Sequence, residues 1–161
     1  MTIAVKKAGM IIGVLGLLAL GAGLFMHDPS MDSRPAFIDP ADQELVVKGK
    51  EIYANNCASC HGANLEGQPD WRVRQANDRL PAPPHDETGH TWHHPDAVLI
   101  DITKNGLVPG VTAPPGYVSD MPAYNKLLTD HDIRAVLAYI KSSWSKQALA
   151  AQKEITQQQS Q

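Results

Sequence analysis

Cysteine is scarce in this sequence: two residues in 161, Cys57 and Cys60, with no second pair anywhere. A zinc site built on such a pair needs two further ligands at matching spacing, and no other cysteine exists to supply them. The chain also lacks a convincing strand pattern. Without the strand-to-helix junction of a βαβ unit, the two thiols do not read as a thioredoxin-like redox pair. Positive charge is not in excess: Lys and Arg total 14 against 17 Asp and Glu, for a formal net charge of −3. Lys6 and Lys7 stand ahead of an apolar stretch and supply two of those positive charges, so the rest of the chain sits at −5. The basic stripe of a nucleic-acid binder is absent. Methionine thins out as well. Met1, Met10, Met26 and Met31 all precede Cys57, and only Met121 follows it.

What is present is Cys57-Ala58-Ser59-Cys60-His61, the C-x-x-C-H pattern that attaches a c-type haem. Each part has a chemical task. The thiols form thioether links to the porphyrin vinyl groups, and the adjacent imidazole reaches the iron from one face. Neither the zinc nor the thioredoxin reading explains His61. One covalent haem c is therefore expected, and its propionates add to the acidity of the chain.

At the N-terminus, Lys6-Lys7 precede an uncharged run of 19 residues, Ala8 to Met26, rich in Leu, Ile, Val, Gly and Ala. As a helix this run is roughly 28 Å long, close to the ~30 Å hydrocarbon core of a membrane. Residues 1–26 therefore read as a retained membrane anchor. The alternative is a secretory signal, with Ala19-Leu20-Gly21 as a weak cleavage site. Both place the following residues across the bacterial cytoplasmic membrane, on the periplasmic side, because Lys6-Lys7 stay in the cytoplasm. That is also the side on which c-type haem is attached. Residues 27–41 hold Pro29, Pro35 and Pro40 and read as a tether.

Residues 42–146 read as an all-helical domain. The first helix is expected over Asp42–Asn55, with Leu45, Val46, Gly49, Ile52 and Tyr53 on its inner side. Gly49 costs ~1 kcal/mol relative to Ala inside a helix, which points to close packing there. A second helix over Asp96–Asn105 opens after Pro95 and ends at Gly106 as a left-handed cap. The last begins at Thr129-Asp130-His131-Asp132, a capping signal, and carries Ile133, Val136, Leu137, Ile140 and Trp144 as a stripe. Residues 147–161 read as a polar, fraying tail.

From about Leu45 to Trp144 the sequence resembles a class I, mono-haem c-type cytochrome of the membrane-anchored bacterial type. Lys48-Gly49-Lys50-Glu51-Ile52-Tyr53, followed by Cys57 to Gly62, is similar to that family's opening helix and haem site. Asp120-Met121-Pro122-Ala123-Tyr124 is similar to its Met-Pro loop, and Leu127 to Ile140 to its closing helix. The resemblance implies a cytochrome c fold, three main helices around one covalent haem, with Gly49 and Tyr53 meeting Tyr139 where the first and last helices cross.

Met121 lies in a loop with Pro109, Pro114, Pro115, Gly116 and Pro122, too rich in Pro and Gly for a regular helix. It is either an ordinary core methionine or the second axial ligand; the combined pattern favours ligation. A neutral thioether favours ferrous iron, so His61/Met121 ligation raises the potential relative to two histidines and leaves no iron position open for substrate. Within Leu80-Pro81-Ala82-Pro83-Pro84, the resemblance implies a proline carbonyl bonded to the other ring nitrogen of His61, with Pro83 and Pro84 the leading candidates. Asp70 to Arg79 reads as a short helix.

His85, His90, His93 and His94 crowd ten residues beside Asp86 and Glu87. They could hold copper or zinc, bond haem propionates, cap the second helix or face water, or replace Met121 on the iron. The Trp92 indole N–H is available to a propionate. Two functions follow. One is a tethered one-electron carrier, or the haem module of a respiratory or dehydrogenase complex, with membrane or periplasmic redox proteins as partners and lipid around its anchor. The other is a sensor or peroxidase-like protein whose Met121 detaches.

Overall fold

The computed structural model describes residues 37–159. The predicted anchor and residues 27–36 of the tether lie outside them. Among the described residues no helix is long and apolar enough to cross a membrane. The described chain is helical, with no β-strand in it and a single bridge between Pro109 and Ala113.

The first helix, α1 (Gln43–Asn56), starts where the Asp42 carboxylate accepts the Leu45 N–H at 3.2 Å, satisfying one of the orphan donors of the first turn. A one-turn helix, α2 (Ala58–His61), follows and stops at Gly62, whose φ of +81° a side chain would strain. Asp96–Asn105 forms α3, the residues the sequence predicts, closed by Gly106 at φ +77°. Its ψ of −174° makes this cap extended rather than left-handed α. Thr129 and Asp132 form a complete capping box for α4 (Asp130–Ser142).

α1 and α4 cross at Gly49. A Cβ there would collide with the backbone carbonyl of Ala135, so the absent side chain is what lets the backbones approach. One turn on, the Tyr53 and Tyr139 rings meet with centroids 5.4 Å apart. Tyr53, Leu99, Ile133, Val136, Leu137, Ile140 and Trp144 form the core beneath this crossing.

Three expectations are corrected. Residues 147–158 are not a fraying tail: α5 (Lys146–Gln158) starts on a Ser145 cap and buries Ala148, Gln152 and Thr156, one turn apart. Two of those three inward residues are polar, so hydropathy hid the face. The tether ends before Phe37, because Ile38 lies in the core with its N–H on the Asp96 carboxylate (2.7 Å) and its carbonyl on Lys141 Nζ (3.1 Å). Asp70 to Arg79 is a series of turns, with Asp70 and Asp78 at φ +53° and +63°, conformations no helix contains.

Asp96 and Lys141, both fully buried, form an ion pair at 2.5 Å. Gln152 donates to Asp96 at 2.8 Å and to the His94 carbonyl at 3.0 Å. The Thr156 hydroxyl accepts the Asp96 N–H at 3.1 Å. One carboxylate thus joins residues 37–38, α3, α4 and α5.

Candidate functional site

A cavity of about 580 Å³ opens beside the junction of α1 and α2. Cys57, Cys60, His61 and Met121 all line it, with Leu99, Ile102, Val136, Leu137 and Ile140 as part of an apolar wall. Its size falls in the range of small-molecule and cofactor sites.

Cys57 caps the end of α1 and Cys60 sits on the single turn of α2; both thiols are free, and both line this cavity. Burial pushes the Cys57 thiol up to about 11, with Cys60 contributing. That is opposite to the lowered thiol of a dithiol redox catalyst.

His61 is buried, and its Nδ1–H donates to the Pro83 carbonyl at 2.9 Å. With Nδ1 carrying the proton, Nε2 keeps its lone pair. Burial lowers the basicity of the ring, against the opposing pull of the Pro83 bond. The contact is built by the backbone. Gly67 N–H bonds the His61 carbonyl (2.8 Å), Gln68 N–H the Ala82 carbonyl (2.9 Å) and His85 N–H the Leu65 carbonyl (2.8 Å), laying residues 65–68 along 82–85. Gly67, at φ +68°, has no room for a Cβ beside Pro83 and Pro84. The Tyr53 hydroxyl steadies the turn through the carbonyls of His61 (3.2 Å) and Gly62 (3.0 Å). Pro84, the other candidate, is buried with its carbonyl turned toward Gly89, and it does not line the cavity.

Met121 is held from three sides. Its N–H donates to the Ser119 hydroxyl (3.0 Å), and Tyr124 and Asn125 N–H bond the Thr103 and Lys104 carbonyls at the end of α3. The Tyr124 hydroxyl reaches the Asn56 carbonyl at 2.7 Å, tying the Met loop to the end of α1. Asp120 pairs with Arg79. A residue in a coil of Pro and Gly is thereby fixed at the same cavity as His61.

Trp92 does not line the cavity, and its indole N–H points to the Glu87 carbonyl at 3.4 Å. The histidine-rich segment divides. His90 and His94 line the cavity, while His93 is exposed and packs on Trp92. Among the described residues no three His, Cys, Asp or Glu side chains converge on a possible metal position. Trp71, which does not line the cavity, stacks on His90, and the Arg72 guanidinium lies 4.0 Å from the centre of the Trp71 ring.

Sequence reasoning left the role of His85 open. Its ring lies against that of His61, centroids 3.9 Å apart and 25° from parallel, and it too lines the cavity. Lying beside the His61 ring, it does not face that ring across a space for iron. Burial, with His61 and His90 nearby, holds it well below the usual imidazole range. Its buried Nδ1 has no partner.

The cytochrome c family model matches residues 46–144. The chain belongs to the cytochrome c family. It is 32% identical over 100 residues to the cbb3-type cytochrome c oxidase subunit CcoP of Azospirillum sp. (strain B510), covering 62% of this chain and 29% of that protein. It is 36% identical over 63 residues to the cytochrome bc1 complex cytochrome c subunit of Corynebacterium diphtheriae, covering 39% of this chain and 22% of the relative. The corresponding subunit of Mycobacterium tuberculosis (strain H37Rv) is 41% identical over 59 residues, covering 36% and 21%. The chain thus spans less than a third of the length of these curated relatives. No solved structure matches it. The cofactor of the family is covalent haem c, and Cys57, Cys60 and His61 are its attachment signature here. The donor set fits: two free thiols, an imidazole with an open lone pair and a thioether around one largely apolar cavity.

Proposed function

We propose that this chain is a one-electron carrier, or the haem module of a respiratory or dehydrogenase complex, with His61 and Met121 as the axial ligands. The observation that carries this is the shared cavity: both thiols, His61 and Met121 line it together. Haem c supplies a one-electron iron centre when bound. Cys57 and Cys60 fix it covalently, and the Pro83 carbonyl keeps the proton on Nδ1 so that Nε2 is the donor nitrogen of His61. Met121 contributes a neutral sulfur that favours the ferrous state and so a higher potential. Held by both His61 and Met121, the iron would have no position left for a substrate. The chain is accordingly a carrier and not itself a catalyst.

Lys6-Lys7 and the uncharged run 8–26 support a single-pass anchor in the bacterial cytoplasmic membrane, with the haem domain on the periplasmic side. The relatives named as oxidase and bc1 complex subunits support membrane or periplasmic redox proteins as electron donor and acceptor. Optical spectra of the oxidised holoprotein test the ligation. A far-red sulfur-to-iron band is expected in the wild type and lost in Met121→Ala; a wild type without that band rejects Met121 as ligand.

A further inference from the structure

The hydrogen bond from His61 Nδ1 to Pro83 fixes where the ring points but not its plane, since the ring can still rock about the N–H···O axis. A flat surface against its face removes that freedom, and His85 supplies one: the two imidazoles are 3.9 Å apart at 25°. His85 is itself clamped. Its N–H donates to the Leu65 carbonyl (2.8 Å), its carbonyl accepts the Trp144 indole N–H (2.8 Å), and Tyr53 meets its ring edge-on with centroids 6.0 Å apart. The clamping residues come from the loop after α2, the link between α4 and α5 and the interior of α1, so the ring is referenced to several parts of the domain.

The residue type is informative. The buried Nδ1 of His85 has no hydrogen-bond partner, a cost that a leucine of similar volume would avoid. A leucine, however, offers no flat face. We propose that His85 is a positioning residue, whose stacked ring sets the plane of the His61 imidazole relative to the haem and thereby tunes the electronic structure and potential of the iron. This rests on His61 being an axial ligand.

The test compares holoproteins of the wild type, His85→Leu and His85→Phe. The readouts are the haem methyl proton shifts of the ferric form, which report the plane of the axial imidazole, and the reduction potential. His85→Leu is expected to change the order and spread of the methyl shifts and to move the potential, while His85→Phe, keeping a flat ring, restores the wild-type pattern. Shifts in His85→Leu identical to those of the wild type overturn the proposal. Equal changes in Leu and Phe also overturn it, because the ring face would then not be what matters. If His85→Leu fails to retain haem, His85→Met, flexible and of similar volume, takes its place under the same criteria. A wild type that lacks a low-spin histidine-ligated spectrum instead rejects His61 ligation itself, and the two failures are thus told apart.

Discussion

At the residue scale the site depends on side chains that are missing as much as on those present. Gly67 has no Cβ, and that lets residues 65–68 lie close enough to Pro83 for its carbonyl to reach His61. Gly49 has none either, and that lets α1 rest on the Ala135 carbonyl of α4. Gly49→Ala gains ~1 kcal/mol of helix propensity but forces two backbones apart, an overpacking cost of about 1–3 kcal/mol that rises when the obstacle is rigid backbone. The expected net result is a loss of up to about 2 kcal/mol in urea unfolding of the holoprotein; a gain in stability contradicts the close crossing. Gly49 was legible in the sequence because a glycine inside a helix is an anomaly that asks for a reason. His85 was not, because a stack between rings 24 positions apart leaves no periodic trace.

At the scale of elements, sequence and structure agree where local chemistry decides. Pro95 and Gly106 bracket α3 at the residues they predict, and the Thr129–Asp132 box opens α4. Thr129 Oγ1 accepts the Asp132 N–H at 3.2 Å, and the Asp132 carboxylate accepts the Thr129 N–H at 3.0 Å. Thr129→Ala removes the first of these and is expected to cost about 1 kcal/mol, read as a lower urea midpoint at unchanged slope. Elements held by distant partners were not legible. α5 faces the core with Gln152 and Thr156, which look like tail residues until Asp96 and the His94 carbonyl are placed beside them. Ile38 sits among prolines and reads as linker until Asp96 and Lys141 take up its backbone.

At the scale of the whole molecule, that same buried pair links the described start of the domain to its last helix. Burial pulls the Lys141 ammonium down to about 8, against the attraction of Asp96. Between that value and the ordinary 10.5, the unfolded chain holds the Lys141 proton and the folded chain releases it. The unfolded state thus binds more protons, so this group makes stability rise with pH across the window, and below pH 8 its burden on the fold is full. The wild type is expected to show that slope and Lys141→Met to lose it. Chemical unfolding between pH 7 and 10.5 checks both; a wild-type slope of zero contradicts the lowered ammonium.

All three scales bear on the cavity, which α4 and the Met loop line together. The central claim is that His61 and Met121 fill both axial positions of the haem. The most direct measurement is carbon monoxide added to the reduced holoprotein, wild type and Met121→Ala side by side. The account predicts an unchanged wild-type spectrum and rapid binding by the variant. Rapid binding by the wild type would contradict it, and would move the sensing or peroxidase-like reading ahead of the carrier.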